Sequence, residues 1–94
     1  MQTYYQRRKN YLHRNIAGTN VLVSVGNNIA NFNGYMELNE TASFLWKCLE
    51  DPCTATMLTE RLLEHFSVEE TEAKEDVDAF LQLLLEHEMI EELP

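Results

Sequence analysis

Glycine placement divides this 94-residue chain into two parts of different character. All three glycines, Gly18, Gly26 and Gly34, lie before residue 38, together with all but one of the asparagines. After residue 38 there is no glycine, and leucine and glutamate dominate. Because glycine and asparagine favour turns and Leu and Glu favour helices, the sequence predicts strands followed by helices, as in an α+β domain.

The glycine-containing part predicts three strands. The first runs from Tyr11 to Ile16 and ends at Ala17-Gly18, and the second runs from Asn20 to Val25 with alternating valines. The third, Ile29 to Leu38, is interrupted at Asn33-Gly34, a dipeptide that tolerates positive φ and often forms hairpin turns. We expect a bulge or kink within one strand there, with a true hairpin as the alternative.

The second part predicts three helices from apolar residues at helical spacing. Asn39 can cap the first helix and Asp51-Pro52 ends it, Thr54 can cap the second, and the third runs from about Glu69 to Glu88. The side chains expected to be buried on the three helices are Ala42, Leu45, Trp46 and Leu49, then Leu58, Leu62 and Phe66, then Ala73, Val77, Phe80, Leu81 and Leu84. A three-stranded antiparallel sheet followed by three helices gives a winged helix-turn-helix-like domain over residues 11–92.

Charge follows the same division, within a net charge of −9. Residues 1–36 contain no acid and four cations, Arg7, Arg8, Lys9 and Arg14. We therefore expect residues 1–10 to form a basic N-terminal segment that could be flexible. Residues 37–94 contain all sixteen acids, and six of these lie within residues 69–78 of the third predicted helix. A DNA recognition helix needs cations and amides at such positions, so a winged-helix DNA-binding regulator is kept only as the alternative function.

Catalytic and metal-binding patterns are missing from the sequence. Cys48 and Cys53 are spaced more widely than the usual zinc pair, no glycine pattern could cradle a phosphate, and the many carboxylates fit a solvated helix face. We expect neither enzyme activity nor a metal or cofactor. The densest apolar stretch, Ala79 to Leu85, is far shorter than the roughly 20 residues that cross a membrane, so we expect a cytoplasmic protein with free thiols.

An unpaired sheet edge is the best candidate for a binding surface. A three-stranded sheet leaves its outer strands open to an added peptide strand, and the third helix could flank the third strand. Phe44, Cys48, Leu83 and Leu85 fall outside the predicted buried stripes and permit a groove. The residues favour a peptide-recognition module, with a subunit that only stabilises a partner enzyme as a further possibility.

The segment from Gly34 to Trp46, GYMELNETASFLW, resembles the strand-to-helix pattern G-x-x-x-L-N-x-T-A-x-x-[IL]-W of PqqD-like proteins. The later segments LLEHFSV, EAKEDVDAFL and LEHEMIE resemble the second helix, the third helix and the ending of that family. Upstream, RNIAG, VLVSVG and NFNG fit a subgroup with a longer third strand. The resemblance covers roughly residues 11–92.

This resemblance implies a non-catalytic domain that binds the leader of a ribosomally made precursor peptide and presents it to a modifying enzyme, often a radical-SAM enzyme. The leader would add to the third strand, in a groove shared with the third helix. From the acidic charge and the lack of a long apolar stretch we expect no nucleic-acid or membrane partner. The peptide-binding residues that the resemblance implies are Ile29, Phe32, Tyr35, Met36, Glu37, Lys74, Val77, Asp78, Leu81 and Leu85.

Overall fold

The computed structural model describes residues 2–24 and 35–93. Its elements are, in chain order, β1 (Tyr4–Arg7), β2 (Tyr11–Ile16), β3 (Thr19–Ser24), β4 (Tyr35–Leu38), α1 (Glu40–Cys48), β5 (Cys53–Thr54), α2 (Ala55–His65), α3 (Glu70–Glu86) and β6 (Ile90–Leu93). The antiparallel sheet β2-β3-β4 precedes the three helices, which confirms the predicted α+β order. No helix in the described ranges is long and apolar enough to cross a membrane.

The first two strands of this sheet form a tight hairpin. Ala17 and Gly18 both have positive φ, 52° and 87°, a backbone geometry whose twist matches that of the flanking strands. The predicted first strand is confirmed, and the second begins at Thr19, one residue before its predicted start. The third strand is observed as Tyr35–Leu38, while its predicted earlier part and the break at Asn33-Gly34 lie outside the described residues.

The predicted caps of the first two helices are confirmed. The Asn39 side chain accepts a hydrogen bond from the Ala42 amide at 2.8 Å, and the Thr54 hydroxyl accepts one from the Met57 amide at 3.1 Å. Each bond satisfies an amide that lacks a partner within the helix. Helix α3 has no side-chain cap at Glu69, and it ends at Glu86, two residues before the predicted end.

One hydrophobic core joins the sheet to the helices. All five residues predicted to be buried on α3 are buried, and on α1 and α2 only Ala42 and Phe66 remain partly exposed. The sheet contributes Tyr11, Leu22 and Leu38 from its inner face. The helical spacing of apolar residues therefore located the helical half of the core.

A second small sheet was not predicted. Strand β1 pairs antiparallel with β5 on one side and with β6 on the other, so part of the basic segment 1–10 is hydrogen-bonded to the rest of the chain.

The positive charge of Arg7 in this strand has partners in α1 and in the residues after it. Its guanidinium lies 5.7 Å from the ring centre of Trp46, donates to the Trp46 carbonyl at 3.3 Å and lies 3.6 Å from the Glu50 carboxylate.

The Thr54 cap can be tested by removing only its hydroxyl. Thr54→Val keeps the branched shape of the side chain but leaves the Met57 amide without its acceptor. We expect the free energy of unfolding to fall by about 1 kcal/mol. Thr56→Val is the matched control, because Thr56 is exposed and lies only two residues after the cap, in the first turn of α2. Urea unfolding followed by circular dichroism measures both variants. Equal stability of the two would contradict the assigned cap.

Candidate functional site

Strand β4 forms one edge of the larger sheet. It pairs with β3 along one side, and no described strand pairs with its other side. Its side chains alternate, so that Met36 and Leu38 lie on the inner face and Tyr35 and Glu37 on the outer face. Backbone N–H and C=O groups on the open side can hydrogen-bond to an extended peptide, so this edge can accept an added strand.

A groove of about 320 Å³ runs beside this edge, between β4, the start of α1 and α3. Its lining residues are Met36, Glu37, Leu38, Asn39, Thr41, Ala42, Leu45, Asp76, Ala79, Phe80 and Leu83. Leu38, Leu45 and Phe80 are buried and form an apolar floor, whereas Leu83 remains 38% exposed. The groove therefore offers apolar contact surface directly beside unpaired backbone.

The charged residues that line this groove are both acidic, Glu37 and Asp76. Both side chains belong to exposed residues, so their charges stay hydrated when the groove is empty. Glu37 carries its carboxylate on the outer face of the edge strand and Asp76 carries its carboxylate on the helix, so both attract cations toward this edge of the sheet. An apolar segment flanked by lysine or arginine is the peptide chemistry that fits this arrangement.

A partly buried polar contact holds the sheet against α1 and so helps to set the position of the groove. The His13 Nε2 atom lies 3.0 Å from the Asn20 side-chain oxygen and 3.0 Å from the Ser43 hydroxyl, which is buried in α1. Asn20 is the β3 residue that pairs with Leu38 at the end of β4. The contact therefore links all three strands of the sheet to the helix that follows β4.

The peptide-binding residues that the resemblance implied lie in different parts of the structure. Met36 and Glu37 line the groove, and Tyr35 lies on the outer face of the same strand. Among the helix residues, Val77 and Leu81 are buried in the core and Leu85 packs against it. Lys74 and Asp78 line a different depression, between α2 and α3. Ile29 and Phe32 lie outside the described residues.

The α3 residues that line the groove are Asp76, Ala79, Phe80 and Leu83, and of these the sequence indicated only Leu83 as a groove residue. Their spacing of three, one and three places them on one helix face, beside the buried stripe. Phe80 belongs to the predicted buried stripe and Leu83 lies outside it, so the pattern alone does not place the two side chains on one surface. The grouping needs the rotation of α3 relative to β4, which helical spacing alone does not supply.

The two cysteines lie away from this groove. The Cys53 thiol is buried and donates to the Cys48 carbonyl oxygen at 3.2 Å, and this burial raises the pKa of Cys53. A raised pKa keeps the thiol protonated at neutral pH, which is the opposite of an activated nucleophile. In the part of the chain that the structure describes, no group of three His, Cys, Asp or Glu side chains is placed to hold a metal ion.

An open-edged three-stranded sheet followed by three helices, with a groove along the edge strand, defines a winged-helix-like domain. The sequence model of the PqqD family, described as coenzyme PQQ synthesis protein D, matches residues 11–90, and the chain belongs to this family. A search of curated proteins gave no significant match.

Two solved structures share the fold. One is described as "TbiB1 in Complex with the TbiA(beta) Leader Peptide"; it is 20% identical, with a TM-score of 0.71, over 92% of this chain and 94% of that one. The other is "Lasso peptide synthetase B1 complexed with the leader peptide", 23% identical with a TM-score of 0.68, over 96% and 98% of the two chains. This likeness shows a shared fold along nearly the whole length.

The two thiols should differ in reactivity. Because burial both shields Cys53 and raises its pKa, we expect iodoacetamide to modify the partly exposed Cys48 at least about tenfold faster in the native protein. Mass spectrometry of digested samples taken over time measures the two rates. The urea-unfolded protein is the control, in which both thiols should react at similar rates. Equal native rates would contradict the burial of Cys53.

Proposed function

We propose that this protein is a non-catalytic recognition module that binds the leader of a ribosomally made precursor peptide and presents it to a modifying enzyme. The observation that carries the proposal is the open edge of β4 beside an apolar groove with acidic walls. Membership of the PqqD family supports it, as do two structures of the same fold that are described as leader-peptide complexes. A radical-SAM enzyme is the expected class of partner.

Binding would combine two kinds of contact. Backbone hydrogen bonds to β4 attract any extended chain, whereas the groove selects side chains by shape and charge. Ordering a flexible leader costs about 2–5 kcal/mol, so the apolar floor has to contribute enough burial to exceed that cost. A short strand such as Tyr35–Leu38 offers few backbone bonds, which makes the groove the main source of selectivity.

We assign the peptide contacts to Tyr35, Met36 and Glu37 on β4 and to the α3 face that lines the groove. Val77 and Leu81 would support the groove from the core rather than touch the peptide, since both are buried. Lys74 and Asp78 would stay clear of the leader, because the depression they line lies between α2 and α3.

The proposed module needs no chemistry of its own. The modifying enzyme would carry the reaction, and this domain would raise the local concentration of the precursor at the enzyme. We place this step in the cytoplasm, where unpaired thiols such as Cys48 and Cys53 stay reduced.

Strand addition predicts where a leader perturbs the protein. We expect titration with the leader peptide of the cognate precursor to shift the amide NMR signals of Tyr35–Leu38 and of residues 76–83. The β4 amides should also exchange more slowly with deuterium, because the added strand hydrogen-bonds to them. A leader with N-methylated backbone on its β4-facing side is the control and should bind much more weakly. Saturating binding without shifts in β4 would contradict the proposal.

Two aspartates on α3 allow a test of where the peptide binds, because Asp76 lines the groove beside β4 and Asp78 lines the depression between α2 and α3. Asp76→Lys should weaken binding of a leader that carries Lys or Arg by about fivefold, since it replaces an attractive wall charge with a repulsive one. Asp78→Lys is the matched control, with the same charge change outside the groove. Isothermal titration calorimetry at low and high salt measures both. A larger loss in Asp78→Lys would instead place the peptide in the depression between α2 and α3.

A further inference from the structure

The outer face of the sheet carries a second apolar surface, on the side away from the helices. Three large apolar side chains are exposed on it, with Leu12 at 41%, Ile16 at 60% and Tyr35 at 60% of their full accessible area. The strand register places them with Val21 and Val23 on one face. No described element packs on this face, which we call the outer sheet face.

The outer sheet face is hollow rather than flat. Val21 is only 3% exposed, yet it does not belong to the core cluster on the inner side. Val21 and Val23 form the floor of a depression of about 300 Å³, and Ile16 and Tyr35 are among its walls. A protruding side chain from another molecule can therefore enter it.

Two opposite charges flank the centre of this face. The register aligns Arg14 of β2, Val21 of β3 and Glu37 of β4 in one row across the sheet. Arg14 and Glu37 are exposed, and neither forms a salt bridge with any other described residue. Each lies one strand from Val21, so the cation and the anion are placed symmetrically about the central strand.

We propose that the outer sheet face binds a second copy of this chain, with a two-fold axis parallel to β3 between the two sheets. Such an axis exchanges the β2 side of one copy with the β4 side of the other, so Arg14 of each copy faces Glu37 of its partner. The same rotation places Leu12 opposite Tyr35. The face is thus complementary to itself in both charge and apolar contact.

The charges also exclude the other simple arrangement. A two-fold axis perpendicular to the strands would place Arg14 opposite Arg14 and Glu37 opposite Glu37, and like charges in contact are unfavourable. Face-to-face sheets pack about 10 Å apart with their strands nearly aligned, which suits an axis along β3.

The dimer should be weak. Three strands about 4.8 Å apart and roughly 20 Å long present a face of only about 300 Å², so the buried area falls below the roughly 1,200 Å² of stable interfaces. A net charge of −9 on each copy adds long-range repulsion. Residues 1–36, which supply most of the face, contain no acid, and this limits the repulsion locally. We expect association in the high micromolar range.

This inference does not rest on the proposed function. The outer sheet face lies on the opposite side of the sheet from α1 and α3, so the dimer leaves the edge of β4 and its groove open in both copies. Tyr35 and Glu37 belong both to this face and to the assigned peptide contacts. Leader binding is therefore tested with Asp76→Lys and self-association with Arg14→Glu, because each of these variants changes a residue of one surface only.

Sedimentation velocity of the full chain, from about 20 µM to about 1 mM, measures the association. Arg14→Glu should weaken the dimer by about tenfold or more, since it places carboxylates opposite Glu37 in both halves of the interface. The double variant Arg14→Glu with Glu37→Arg restores opposite charges across the interface and should recover the dimer. Lys47→Glu is the matched control, because it makes the same charge change on an exposed position of α1, and it should leave the dimer unchanged.

Three results would overturn the proposal. A wild-type protein that stays monomeric throughout this concentration range would show that the outer sheet face does not bind a second copy. Failure of the double variant to recover association would show that Arg14 and Glu37 do not face each other across the interface. An equal loss in Lys47→Glu would show that net charge, rather than this face, controls association. Circular dichroism of each variant establishes that it is folded before the comparison is made.

Discussion

The junction at Asn39 is the constraint on which the site depends. A single residue separates the last residue of β4 from the first residue of α1, and its side chain caps the helix through the Ala42 amide. With no loop between them, the strand and the helix cannot change their relative direction without losing the cap. The contact of His13 with Ser43 holds the same helix to the other strands. The groove beside β4 is therefore built into the chain path, and it is formed before any peptide arrives.

Features specified by local sequence could be predicted. The turn after the first predicted strand follows from Gly18, which adopts positive φ at little cost. The Asn39 and Thr54 caps follow from side-chain oxygens placed before helices, and the buried stripe of α3 follows from its spacing. Each of these depends on residues that are close together in the chain. The family itself could also be identified, because its motif spans the Asn39 junction.

Features that depend on distant pairing could not be predicted. Strand β1 pairs with residues 53–54 and 90–93. Its sequence, Tyr-Tyr-Gln-Arg, lacks the alternation of apolar and polar residues that predicts a strand. The rotation of α3 is a similar case. Its buried stripe was correct, but the neighbouring face that turns toward β4 is fixed by packing against the sheet, so Asp76 and Ala79 could not be identified as groove residues. The charge of residues 1–10 predicts a solvated basic segment, but Arg7 lies beside Trp46 and Glu50.

The pairing of β1 with β6 has a consequence for how the domain can be joined to other proteins. Tyr4 pairs directly with Leu93, so the two ends of the described chain lie on adjacent strands about 5 Å apart. A polypeptide attached to either end would leave the domain from the same place. The domain could therefore be inserted into a surface loop of a larger protein as readily as it could be fused to one end, because an insertion needs only entry and exit points that are close together.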